Sequence, residues 1–266
     1  MSRLSGIFTQ LKSDNQRAFI PFITAGDSGL DNTLTLMNTL VDSGASVIEL
    51  GVPFSDPMAD GPVIAKSHER AVADGVSLTD VLALVARFRA DNDTTAIVLM
   101  GYLNPIEVYG YERFAQDAKT AGVDGILVVD MPPEEAHDLK PYLDAQAIDF
   151  IFLVAPTTTN ERLASLANIA SGFVYFVSLK GVTGSGNLDI DSVNTNMQRI
   201  RQYIDLPVGV GFGIKDAQSA KAVSQTADAV IVGSSLVAFV ERHATNKDKM
   251  IASVGALATE IAQAIN

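Results

Sequence analysis

Short runs of apolar and β-branched residues alternate along the chain with longer stretches whose apolar positions recur at helical spacing. The short runs predict strands at Phe19–Thr24, Val47–Gly51, Ala96–Tyr102, Gly125–Asp130, Asp149–Val154, Phe173–Val177, Pro207–Gly211 and Ala229–Val232. Between them, helical periodicity marks Leu30–Ser43, Ser77–Ala90, Glu107–Ala121, Glu134–Leu143, Glu161–Ala170, Asp191–Tyr203, Asp216–Ser224 and Ser235–His243. Strands alternating with helices predict a parallel sheet. Eight such units in 266 residues, with no composition break and no linker, favour one closed (β/α)8 barrel domain over residues 1–266. An open doubly wound α/β sheet would carry a glycine fingerprint after its first strand, and Thr24-Ala25-Gly26-Asp27 does not supply it. Two further helices flank the barrel. Leu4, Ile7, Phe8 and Leu11 suggest a short helix against its N-terminal end, and Met250–Ala264 reads as a final amphipathic helix.

Composition narrows the class. A hydrophobic fraction of 47% and a mean hydropathy of +0.22 fit a large buried core. The chain has no apolar run of about 18 residues, so no membrane span is expected. Its first residues lack a basic region followed by an apolar run, so no signal peptide is expected and the cytoplasm is the default location. There is no cysteine, which excludes disulfides and thiolate metal sites. His68, His137 and His243 show no metal-ligand spacing, and no metal is expected. A net charge of -12 disfavours nucleic acid and anionic membranes. Any phosphate ligand must therefore be held by local donors.

Candidate chemistry belongs at the C-terminal ends of barrel strands. In Val47-Ile48-Glu49-Leu50-Gly51, alternation turns Ile48 and Leu50 toward the helices and Glu49 into the barrel. A carboxylate there is costly unless paired or used. A buried ion pair is one reading, although no basic residue lies on the strand or in the loop as far as Lys66. That loop, from Val52 to Pro62, holds three prolines and two acids, Asp56 and Asp60. Asp60 suits either catalysis or a helix N-cap ahead of Pro62. Glycine-rich segments follow the last three strands: Gly181-Val182-Thr183-Gly184-Ser185-Gly186, Gly211-Phe212-Gly213-Ile214 and Gly233-Ser234-Ser235. The latter two sit where barrels of this kind commonly bind phosphate. Ser178–Asp189 has the length and polarity of a lid or of an ordinary surface loop.

The stretch Glu-Leu-Gly-Val-Pro-Phe-Ser-Asp-Pro-Met-Ala-Asp-Gly-Pro, from Glu49 to Pro62, resembles the signature of tryptophan synthase alpha chains. Pro21–Asp27, Gly181–Gly184 and Gly211–Ile214 resemble the same family in the same order. Ser28 stands where many members carry proline, and Met100 and Val129 occupy positions the family fills variously. The resemblance implies a TIM-barrel lyase of tryptophan biosynthesis that cleaves indole-3-glycerol phosphate to indole and glyceraldehyde 3-phosphate. It implies catalytic roles for Glu49 and Asp60. Around the substrate it places Phe22, Met100, Tyr102, Leu127, Tyr175 and Phe212, with phosphate donors at Gly184, Phe212, Gly213, Gly233 and Ser234. Thr183 would hold a closed lid near Asp60. No cofactor is implied in this chain. The partner would be a beta chain carrying pyridoxal phosphate, in an α2β2 tetramer coupled allosterically through Val52–Asp60 and Ser178–Asp189. A free-standing lyase and a non-catalytic regulatory subunit remain as alternatives.

Overall fold

The computed structural model describes residues 2–177, 189–211 and 213–266. Eight parallel strands close into a barrel in chain order. They are β1 (Ala18–Thr24), β2 (Val47–Gly51), β3 (Ala96–Gly101), β4 (Gly125–Val128), β5 (Asp149–Val154), β6 (Val174–Val177), β7 (Val208–Gly211) and β8 (Ala229–Val232). The helices are α1 (Arg3–Ser13), α2 (Leu30–Asp42), α3 (Pro62–Ala73), α4 (Leu78–Arg89), α5 (Leu103–Tyr109), α6 (Tyr111–Ala121), α7 (Lys140–Ala145), α8 (Asn160–Leu166), α9 (Ile190–Ile200), α10 (Ala217–Ser224), α11 (Ser234–Arg242) and α12 (Lys247–Ile265).

Alternation along each strand divides the apolar residues between two cores. Phe19, Ile23, Ile48, Leu50, Ile97 and Leu99 belong to the layer between strands and helices. Ala18, Ile20, Val47, Ala96, Val98, Leu127, Ile151, Tyr175 and Ile231 fill the barrel itself. Leu4 and Phe8 of α1 join the inner core from below, and the Phe8 ring lies 5.7 Å from that of Phe173. Helix α1 thus closes the N-terminal end of the barrel, as its apolar spacing predicts. Arg3 pairs there with Asp124, which also accepts from Arg89 Nη2 at 2.7 Å and from the Ile97 N–H at 2.8 Å.

Three expectations change in detail. The stretch Glu107–Ala121 is two helices, not one, because Gly110 takes φ 91° between α5 and α6. Glu134–Leu143 is a single 3-10 turn at Pro133–Glu135 followed by α7, whose Pro141 is tolerated only in the first turn. β3 and β4 stop before Tyr102 and Asp130. Tyr102 is the N-cap residue of α5, and the Asp130 carboxylate accepts the Leu103 N–H at 2.8 Å, outside any strand ladder.

Candidate active site

Strand register fixes the floor of the site. Glu49 pairs with Phe22 on β1 and Val98 on β3, so its side chain enters the barrel between them. It is 1% exposed, and its Oε1 has no hydrogen-bond partner. No Lys, Arg or His among the described residues forms an ion pair with it. The buried-ion-pair reading finds no partner among the described residues. Burial, and secondarily the charge of Asp60, pushes the Glu49 carboxyl up to about 8. The group is an acid at neutral pH, with one buried oxygen that has no hydrogen-bond partner.

Asp60 arrives from the loop after β2. Gly61, not Asp60, is the N-cap residue of α3, with Pro62 beginning the helix and no side chain capping it. The capping reading of Asp60 therefore falls. Its Oδ2 accepts a 2.7 Å hydrogen bond from the Tyr102 hydroxyl, which itself accepts from the Ala59 N–H at 3.1 Å. Burial raises the Asp60 carboxyl from its ordinary value, while the Tyr102 bond opposes that rise. The two carboxyls thus differ in environment: one is unpartnered in an apolar wall, the other is held by a phenol.

The other sequence-predicted residues that the structure describes lie on β1, β3, β4 and β6, or follow β3, β7 and β8. The Phe22 ring lies over Gly51, where a Cβ would come within 2.7 Å of ring carbon Cζ. The Tyr175 ring covers Gly211 in the same way, so that a Cβ there would overlap the hydroxyl. Burial first, then the charges of Glu49 and Asp60, keep the Tyr175 phenol protonated far above its usual range. Met100 pairs with Gly51 on one side and Leu127 on the other, extending the apolar wall. Gly213 follows β7 with φ 76°. Gly233 and Ser234 open α11, whose N-terminus has no side-chain cap, and the buried Ser235 Oγ beside them lacks a partner. Leu236 and Val237 donate to the Gly233 carbonyl, so the helix is formed up to its uncapped end. Thr183, Gly184, Phe212 and the lid reading of Ser178–Asp189 (Asp189 apart) lie outside the described residues.

Sequence reasoning missed His68. Its Nδ1 accepts the Phe54 N–H at 3.2 Å, and its Nε2 lies 3.6 Å from Asp60 Oδ2. Burial lowers the imidazole to about 4, so it is neutral at physiological pH. The available signal was helical. Ser67, His68 and Ala71 share the buried face of α3, an unusual place for a serine and a histidine without polar work to do. Asp27, within the first family-like motif, proves structural: Arg70 of α3 clamps it with bonds of 2.7 and 3.0 Å.

Comparison with known proteins agrees with this architecture. The family model described as tryptophan synthase alpha chain matches residues 8–266. A tryptophan synthase alpha chain of Ruthia magnifica subsp. Calyptogena magnifica is 70% identical over 265 residues, covering 100% of both chains. That of Methylibium petroleiphilum is 52% identical, covering 100% of this chain and 97% of its own. Among solved structures, tryptophan synthase subunit alpha from Legionella pneumophila str. Paris superposes with a TM-score of 0.93 at 40% identity, covering 100% of this chain and 98% of its own. A chain of M. tuberculosis tryptophan synthase in an aminoacrylate-bound form gives 0.88 at 34% identity, with full coverage of both. Since the sequence match begins inside α1 and runs past every strand of the barrel to the last residue, the chain belongs to the tryptophan synthase alpha chain family.

Proposed function

We propose that Glu49 and Asp60 carry the reaction of this family, Glu49 as the proton donor and acceptor and Asp60 as the carboxylate that holds the indole N–H. The chain is a lyase of tryptophan biosynthesis that cleaves indole-3-glycerol phosphate to indole and glyceraldehyde 3-phosphate. The family's alpha chain needs no cofactor, and pyridoxal phosphate belongs to the beta chain.

The reaction is a retro-aldol cleavage. Indole leaves poorly unless C3 first gains a proton, which puts positive charge on the ring nitrogen. Glu49, protonated at neutral pH, gives its proton to C3. Asp60, accepting the indole N–H, stabilises the charge that develops there. As the carbon–carbon bond breaks, the adjoining hydroxyl becomes the aldehyde carbonyl and its proton returns to Glu49. The acid is thereby regenerated and no base is consumed. The observation that carries this reading is the bare Oε1 of a buried, protonated Glu49 on the inner face of β2.

Phe22, Met100, Leu127 and Tyr175 supply the apolar wall for the indole ring, with Tyr102 beside Asp60. Gly213, Gly233 and Ser234 supply backbone N–H groups for the phosphate at the mouth of the barrel, where the start of α11 adds partial positive charge. Such donors let a chain of net charge -12 bind an anion without a basic patch. Phe212, Gly184 and Thr183 complete the substrate contacts by resemblance. The whole chain acts as one barrel domain.

The family works with a beta chain. The finer reading is an α2β2 tetramer in the cytoplasm, with Val52–Asp60 and Ser178–Asp189 facing the partner. Met58 in the first of these segments is exposed. The test is indole release from indole-3-glycerol phosphate by the chain alone and then with a tryptophan synthase beta chain. Slow release that rises sharply with the beta chain supports the whole reading. Fast release indifferent to the beta chain points to a free-standing lyase. Normal turnover by Glu49→Gln removes Glu49 from the mechanism.

A further inference from the structure

We propose that His68 is a positioning residue for Asp60: its Nε2–H is a second donor to Oδ2, so that His68 and Tyr102 together fix the carboxylate and leave Oδ1 to receive the indole N–H. The proposal rests on the reading of Asp60 given above.

The tautomer follows from one contact. His68 Nδ1 accepts the Phe54 N–H at 3.2 Å, and a nitrogen that accepts carries no proton. The proton of the neutral ring therefore sits on Nε2, which lies 3.6 Å from Asp60 Oδ2. That separation is too long for a hydrogen bond. Contacts of this kind tighten when substrate fills a site, and here less than an ångström of movement is needed. Tyr102 already occupies the same oxygen at 2.7 Å, whereas Oδ1 receives no hydrogen bond from the described residues.

The surrounding contacts form a closed circuit. The Phe54 ring stacks on Tyr102 with centroids 5.1 Å apart, Tyr102 holds Asp60, Asp60 faces His68, and His68 holds the Phe54 backbone. The circuit is anchored to the barrel, because Ser67, the neighbour of His68 on α3, bonds Thr24 of β1 at 2.6 Å. Once the Asp60–His68 gap closes, the circuit leaves the carboxylate little freedom to rotate, which is the property a preorganised electrostatic partner requires.

An imidazole also suits the chemistry better than a cation would. Asp60 must keep its negative charge to oppose the positive charge arising on the indole nitrogen. A lysine or arginine at position 68 would cancel that charge in the ground state. Burial keeps His68 uncharged, so it orients the carboxylate without neutralising it. Burial keeps Glu49, Tyr102 and Tyr175 protonated at neutral pH, so none of the three adds a charge of its own beside Asp60.

The test separates the two ring nitrogens. In His68→Asn the amide oxygen replaces Nδ1 as acceptor for Phe54, but nothing replaces Nε2. We expect an unchanged melting temperature, an unchanged KM and a kcat lower by roughly ten- to a hundredfold. His68→Gln returns an N–H near the Nε2 position and should recover most of that loss. In the native protein, ring 15N shifts should show Nε2 protonated and Nδ1 bare at neutral pH. Wild-type kcat in His68→Asn, a loss confined to KM, no recovery in His68→Gln, or the opposite tautomer would each overturn the proposal. Asp60→Asn, measured in parallel, separates the failures. If it is inactive while His68→Asn is normal, only the role of His68 falls. If it turns over normally, the role of Asp60 falls, and that of His68 with it.

Discussion

The Tyr102 hydroxyl reaches across from the end of β3 to hold Oδ2 of Asp60 at 2.7 Å, while accepting the N–H of Ala59. One phenol thereby ties the end of the β2–α3 loop to the wall of the barrel. Tyr102→Phe keeps the stack on Phe54 but removes both bonds. We expect kcat for indole release to fall by about tenfold, and stability by about 1–2 kcal/mol for the lost bonds. Single-turnover rates and urea unfolding measure the two. A kcat within twofold of wild type would free Asp60 from any dependence on Tyr102.

Glu49→Gln should abolish cleavage while leaving binding of indole-3-glycerol phosphate largely intact, as isothermal calorimetry can record. The same variant tests the proton. In the unfolded chain Glu49 ionises near 4.5, and in the folded chain near 8. Between these values the unfolded state holds fewer protons at this site, so the Glu49 contribution to native stability falls as pH rises from about 4.5 to about 8. Full expression of that shift corresponds to about 5 kcal/mol. The Gln variant lacks this titration, so it should gain on the native protein across that window and not below it. A pH-independent difference between the two would contradict a raised Glu49. The pH–rate profile should likewise descend as Glu49 loses its proton near 8.

Gly51 and Phe22 form a steric pair, since a Cβ at position 51 meets the Phe22 ring at 2.7 Å. Gly51→Ala should cost about 1–3 kcal/mol and displace the ring from the site, raising KM. Phe22→Leu in the same chain should restore most of the stability without restoring KM. Melting temperatures and KM of the two variants decide it: full stability in Gly51→Ala alone would show that the ring moves freely.

Leu4 is fully buried beneath the barrel. Leu4→Ala leaves a cavity against Gly125 and Gly172 and should destabilise by about 2–5 kcal/mol. Specific activity at a permissive temperature should not change, because no functional side chain leans on α1. Loss of activity without loss of stability would link the base of the barrel to its mouth.

The barrel is legible in the sequence because its apolar pattern is periodic. Ile48 and Leu50 against Glu49 state which side of β2 faces which core, and the structure repeats that division on the other strands, with glycines at the inward positions of β7. Boundaries are less legible. The break at Gly110 depends on a backbone angle that any helical pattern conceals. Ser28 shows the same limit. Beside a family proline it reads as a neutral exchange, yet its φ of 68° is closed to proline, whose ring fixes φ near −65°. Within the site, Glu49 and Asp60 stood out as charges in apolar or rigid surroundings. His68 did not, because its partners Phe54 and Asp60 are set by the path of a loop and not by spacing along the helix.

The helix beneath the barrel has a consequence for traffic. With Leu4 and Phe8 stoppering the N-terminal end, the cylinder is a blind well, not a tube. Ligands therefore cannot pass out through that base, and their route lies on the C-terminal side of the barrel. A segment that covers the C-terminal side can thus govern access without touching either acid.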